Sequence, residues 1–88
     1  MTKVVNIKQD DYDVYIGRGS KWGNPYKIGK DGTRKEVIKK YEKYLLNSSE
    51  LLDSLEELRY KKLGCYCKPK ICHGDVLVKF LKYRQIER

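Results

Sequence analysis

Lys62-Leu63-Gly64-Cys65-Tyr66-Cys67-Lys68-Pro69-Lys70-Ile71-Cys72-His73-Gly74-Asp75-Val76-Leu77 is the stretch on which the fold turns. It opens as a short strand, Lys62 to Cys67, and passes through a cluster holding all three cysteines and the single histidine. It then enters a helix that begins at His73-Gly74-Asp75. Val76, Leu77, Phe80 and Leu81 supply its apolar stripe at i, i+1, i+4 and i+5, with Lys79 and Lys82 between them.

Working outward, Val14-Tyr15-Ile16 reads as another strand, ended by Gly17, and the β-branched run Lys3 to Ile7 as a first one. Three aspartates between residues 9 and 13 mark the turn that separates them. Thr33-Arg34-Lys35-Glu36 has the spacing of a capping box. Val37, Ile38, Tyr41, Tyr44 and Leu45 follow at helical intervals, giving a helix to about Leu46. Asn47-Ser48-Ser49 ends it and caps another helix striped by Leu51, Leu52, Leu55 and Leu58.

The order β-β-α-α-β-α predicts a single small α/β domain over residues 1–88. Its sheet has three short strands, mixed or partly parallel, packed by about three helices. If the strands at Val14 and Lys62 run parallel, the loops that follow them meet at one sheet edge, where open α/β sheets hold ligands.

At 88 residues the chain can bury about 60 to 65% of its unfolded surface, enough for one two-layer core. The net charge of +8, from 20 basic and 12 acidic residues, favours anionic partners. Fifteen of the 20 basic residues are Lys, spread along the chain instead of gathered in a stripe, so nucleic acid ranks below a small anion. No run approaches the ~18 apolar residues of a membrane span. The opening Met-Thr-Lys-Val-Val-Asn-Ile lacks a leader pattern, and an odd cysteine count does not fit a disulfide framework. The expected setting is therefore a reducing cytoplasm. Oligomeric state is left open.

Two segments carry chemistry. In the first, Gly17-Arg18-Gly19-Ser20-Lys21-Trp22-Gly23-Asn24-Pro25, glycines let backbone amides approach an anion that Arg18 and Lys21 neutralise. Trp22 is either a base-stacking platform or a core anchor, and Asn24-Pro25 forms a turn beside the site.

The second, Cys65 to Asp75, admits three readings. Cys65, Cys67, Cys72 and His73 form a permitted zinc set, but a Cys-x-Cys gap and adjacent Cys72-His73 do not suit one tetrahedral ion. Cys72 beside His73 at a helix start is a candidate nucleophile, with Asp75 orienting. Or His73, Gly74 and Asp75 bind a ligand, Asp75 being the helix N-cap or taking ribose hydroxyls.

Ile16-Gly17-Arg18-Gly19-Ser20 with Trp22-Gly23-Asn24-Pro25, then Leu63-Gly64-Cys65-Tyr66-Cys67-Lys68-Pro69 and Cys72-His73-Gly74-Asp75-Val76-Leu77, resembles the uncharacterised bacterial and phage family catalogued as domain of unknown function 4326. The likeness covers about Val14 to Leu81; Tyr66 stands where Trp is expected. It implies a small α/β domain and leaves the activity open.

The reading that best joins both segments is a binder of a phosphate-bearing, nucleotide-derived small molecule, with no cofactor. In a phage its use would be to sequester a host defence signal. Its ligand-binding residues are expected to be Arg18, Gly19, Ser20, Lys21, Trp22, Asn24, His73, Gly74 and Asp75. The alternatives are an enzyme on a nucleotide or ADP-ribose-like substrate using Cys72, His73 and Asp75, and a zinc-stabilised nucleic-acid-binding module.

Overall fold

The structure, a computed structural model, describes residues 2–66 and 70–86. Strand β1 (Lys3–Asn6) is followed by β2 (Val14–Tyr15), helix α1 (Arg34–Leu46) and helix α2 (Ser49–Ser54). A 3-10 turn at Leu55–Leu58 extends α2; strand β3 (Lys62–Cys65) and helix α3 (His73–Ile86) complete the chain. The expected element order and α/β class are observed, each strand being one to two residues shorter than its sequence pattern. The last position assigned to the third strand, Cys67, lies outside the described residues.

The sheet order is β1-β3-β2 and both pairings are parallel. Val4 and Val14 flank Leu63 in register, and Val5 and Tyr15 flank Gly64. Because β1 and β2 lie on opposite sides of β3, residues 7–13 must carry the chain back across the middle strand. Parallel crossovers usually take a dozen or more residues. This shorter one passes directly over Gly64, where an added Cβ would lie 2.6 Å from Ile7 Cγ2 and 2.7 Å from Tyr12 Cγ. Asn6 starts the return, its carbonyl accepting the Gln9 and Asp10 amides, and Asp13 ends it by donating its N–H to the Lys62 carbonyl at 2.8 Å. The Asp13 carboxylate accepts the Lys62 N–H in return, also at 2.8 Å.

Helix α1 starts as its sequence dictates. The Thr33 hydroxyl accepts the Glu36 amide and the Glu36 carboxylate accepts the Thr33 amide, which holds that carboxyl below its usual range. Val37, Tyr41 and Leu45 turn inward. Ser48 caps α2, which buries Leu51, while Leu55 and Leu58 of the 3-10 turn are fully buried. Tyr60 then adopts φ 64°, a left-handed conformation stabilised where its N–H donates to buried Thr2 Oγ1. Helix α3 contributes Val76, Leu77 and Leu81 to the core. With β2 and β3 parallel, the loops after Tyr15 and after Cys65 leave the same sheet edge, as the sequence requires of a joint site. No helix among the described residues is long and apolar enough to cross a membrane.

Candidate functional site

The loop after β2 is a series of tight turns. Ile16 prolongs β2 by donating its N–H to the Gly64 carbonyl at 2.9 Å. The Gly17 carbonyl accepts both the amide and the hydroxyl of Ser20, and the Ser20 carbonyl accepts the Gly23 amide. Gly19 supplies the φ of +89° that the first turn needs. Together these turns drive Trp22 inward until it is 2% exposed, and its carbonyl accepts the buried Tyr41 hydroxyl at 2.8 Å. Trp22 is thus the core anchor and not the stacking platform. Lys21 stays outside, with its ammonium 5.3 Å above the Trp22 ring and 3.3 Å from Glu57 Oε1. Asn24 fastens the loop to α1, donating to the Val37 carbonyl and accepting the Tyr26 amide.

The second segment is built on the start of α3. Cys72 occupies the N-cap position, one of the two roles the sequence offered for Asp75, and its sulfur takes the role usual for a serine hydroxyl. Cys72 Sγ accepts the Gly74 amide at 3.3 Å while Asp75 Oδ2 accepts the Cys72 amide at 3.1 Å. Asp75 is instead the third helical residue of this arrangement, a place where a carboxylate also favours the helix dipole. Gly74 sits against the sheet, so close to Ile16 and Val4 that no side chain fits.

His73 is buried, 8% exposed, with its ring edge-on to Tyr41 at 5.0 Å. Its Nε2 lies 2.7 Å from the Ile16 carbonyl, which requires the proton on Nε2 and leaves Nδ1 as an acceptor. Nδ1 lies 3.6 Å from Cys72 Sγ, and Cys72 Sγ lies 3.1 Å from Cys65 Sγ. Burial pushes the His73 pKa down, against the opposing effects of the Ile16 carbonyl and Asp75. His73 is therefore neutral in the fold, while the unfolded chain takes up a proton near pH 6.5. Stability from this group is intact above about pH 6.5 and is lost as the pH falls toward the lower folded value. The expected result is that wild type loses stability between pH 7.5 and 5 faster than His73→Gln in urea unfolding. Parallel curves would show that burial of the imidazole carries no such linkage.

Between the two segments lies a cleft of about 280 Å³, near the lower end of the range for ligand sites. Arg18 and Asn24 come to it from the first loop, Cys65 and Tyr66 from the end of β3, and Cys72 and His73 from the start of α3. Val37, Ile38 and Ile71 give it an apolar lining, and Tyr26, Ile28 and Arg34 complete the wall. Arg34 is oriented by donating to the Ile71 carbonyl at 3.2 Å; Arg18 is exposed and has no ion-pair partner among the described residues. Of the nine residues expected to bind ligand, Arg18, Asn24 and His73 line this cleft. Gly19, Ser20, Lys21, Trp22, Gly74 and Asp75 do not. Among the described residues no three metal-binding side chains group to hold an ion, and the fourth zinc candidate, Cys67, lies outside them.

The profile of the family described as "Domain of unknown function (DUF4326)" matches residues 2–83. The chain belongs to this family. It is 44% identical over 82 residues to the "uncharacterized 12.4 kDa protein in nrdA-td intergenic region" of Enterobacteria phage T4, covering 88% of this chain and 74% of that protein. It is 37% identical over 94 residues to "uncharacterized protein R718" of Acanthamoeba polyphaga mimivirus, covering 86% of this chain and 70% of the relative. No solved structure matches the chain. Membership reaches from Thr2 to Tyr83, so both walls of the cleft belong to the family's common extent.

Sequence reasoning missed Tyr26, Ile28, Arg34, Tyr66 and the α1 residues of the lining. Arg34 had one usable signal: it is the first residue after a cap, where a long cation is free to reach outward. Val37 and Ile38 gave none, because a cleft floor and a core face share the same helical period.

Proposed function

We propose that the cleft binds a small phosphate-bearing, nucleotide-derived molecule. One observation supports this above others: Arg18 and Arg34 approach one aromatic and apolar cleft from separate elements. Two guanidinium groups suit a phosphate, which they can hold by bidentate charge-assisted hydrogen bonds. Tyr66, exposed at the rim, and Tyr26 offer ring faces to a base in place of the buried Trp22. The net charge of +8 raises the local concentration of anions around the site. Asn24 has both ends of its amide engaged and shapes the wall instead of reading the ligand. For a phage-encoded member such a cleft would serve to sequester a host nucleotide signal.

The test is calorimetric titration with a panel of nucleoside mono-, di- and cyclic phosphates. At least one is expected to bind, and Arg18→Ala and Arg34→Ala should each weaken it about tenfold, the equivalent of about 1.4 kcal/mol. A panel that gives no binding at millimolar concentration, or affinities unchanged in both variants, would sink the proposal. Binding that extends to duplex or single-stranded oligonucleotides and falls steeply with salt would transfer the site to nucleic acid.

The enzyme reading keeps one specific support, the Cys72–His73 pair in the cleft wall, with its imidazole oriented by the Ile16 carbonyl. Product formation that disappears in Cys72→Ser while ligand binding persists would establish it.

A further inference from the structure

The described cysteines stand in an arrangement that neither phosphate binding nor core packing explains. Cys65 closes β3 and Cys72 caps α3, and the two sulfurs meet at 3.1 Å although six residues separate them in sequence. Both are 1% exposed overall, and both line the cleft, which gives a route to the pair. The two thiols are not equivalent. Cys72 Sγ accepts the Gly74 amide at the start of a fourteen-residue helix, where backbone dipoles favour a negative sulfur. It also faces His73 Nδ1, whose acceptor state is set by the Ile16 carbonyl on the far side of the ring. Cys65 stands at the end of a strand and not at a helix start. Ordinary cores hold cysteines as isolated small hydrophobes.

We propose that Cys65 and Cys72 form a redox-active dithiol, with Cys72 the attacking thiol and Cys65 the resolving one. Closing the bond requires the sulfurs to approach from 3.1 Å to about 2.05 Å, a shift of about 1 Å. The co-reactant is a small disulfide. Cys72 passes its proton to His73 Nδ1, and the thiolate attacks one sulfur of the disulfide, forming a mixed disulfide and releasing one thiolate. Cys65, losing its own proton, then attacks Cys72 Sγ, closes the Cys65–Cys72 bond and expels the second thiolate. The two protons end on the two released thiols; the protein is oxidised by two electrons and the small disulfide is reduced to two thiols. The site is independent of which anion the cleft binds, so a failed nucleotide titration leaves it standing.

The experiment equilibrates the full chain with mixtures of reduced and oxidised glutathione, quenches in acid, alkylates and maps the peptides by mass spectrometry. Wild type and Cys67→Ser are both expected to give a single Cys65–Cys72 link and the loss of two hydrogens. Cys65→Ser should trap glutathione on Cys72, and Cys72→Ser should take up little. His73→Gln should slow the mixed-disulfide step several-fold while circular dichroism shows the fold retained. Because the wild-type map needs no variant to fold, it decides the matter alone. A link through Cys67, oxidation only after urea is added, glutathione on Cys65 in preference to Cys72, or zinc held by these thiols in the purified protein would each overturn the proposal.

Discussion

Trp22→Ala is expected to destabilise the protein by about 3 to 5 kcal/mol with no ligand present, the range for emptying a buried aromatic site. Trp22 is 2% exposed and packs in one cluster with Tyr41, Leu45, Leu58 and Leu77. Its indole fills the space under a loop that has no regular secondary structure to hold it. The loss is large against a total stability of about 5 to 15 kcal/mol. With a urea slope of about 1 to 3 kcal/mol per molar, the unfolding midpoint should fall by at least ~1 M. Tyr41→Phe removes only the hydroxyl that serves the Trp22 carbonyl, and should follow with about 1 to 3 kcal/mol by leaving that buried acceptor unmet. A tryptophan acting as a ligand platform would behave in the opposite way, leaving the unliganded protein as stable as before. Unchanged midpoints in Trp22→Ala would return the indole to the cleft.

The same residue shows where the sequence was legible and where it was not. Element order followed from short-range physics: the Thr33–Glu36 box, the Ser48 cap and the leucine spacing of α2 each act within one turn of chain. The parallel pairing of β2 with β3 entered the sequence reading only as a condition; the structure meets it, and with it the two loops leave one sheet edge. Whether a loop residue faces in or out depends on successive turns whose hydrogen bonds are local but whose sum is a direction. Hence Arg18, Asn24 and His73 reached the cleft while Gly19, Ser20 and Lys21 turned away from it. Gly64 was equally opaque, for its reason to be glycine is a crossover formed fifty residues earlier by Ile7 and Tyr12. The exchange of roles between Cys72 and Asp75 at the α3 cap could not be read either, since a sulfur seldom takes the capping position.

Gly74→Val is the second large effect, and its sign separates two explanations. Helix propensity alone makes valine slightly better than glycine within a helix, so an exposed site would gain a few tenths of a kcal/mol. At this site a Cβ would stand 2.7 Å from Ile16 Cδ1 and 2.9 Å from Val4 Cγ2, well inside the ~3.5 to 4.0 Å of a favourable carbon contact. Ile16 is fully buried and has nowhere to turn, so either the side chains leave their rotamers or α3 lifts from the sheet. A loss of about 3 kcal/mol is expected, at the upper end for overpacking, and urea unfolding would read it. Shortening the obstructing side chains should restore part of it: Ile16→Val removes the nearer atom and Val4→Ala the other. Recovery in the combined variants, beyond the sum of the single effects, would identify the overlap as the cause. Lifting α3 would also draw His73 from the Ile16 carbonyl and Cys72 from Cys65, so the glutathione-driven link should slow in the same variant. A Gly74→Val protein with wild-type stability and an intact link would show that the helix seat is not what sets the thiols side by side.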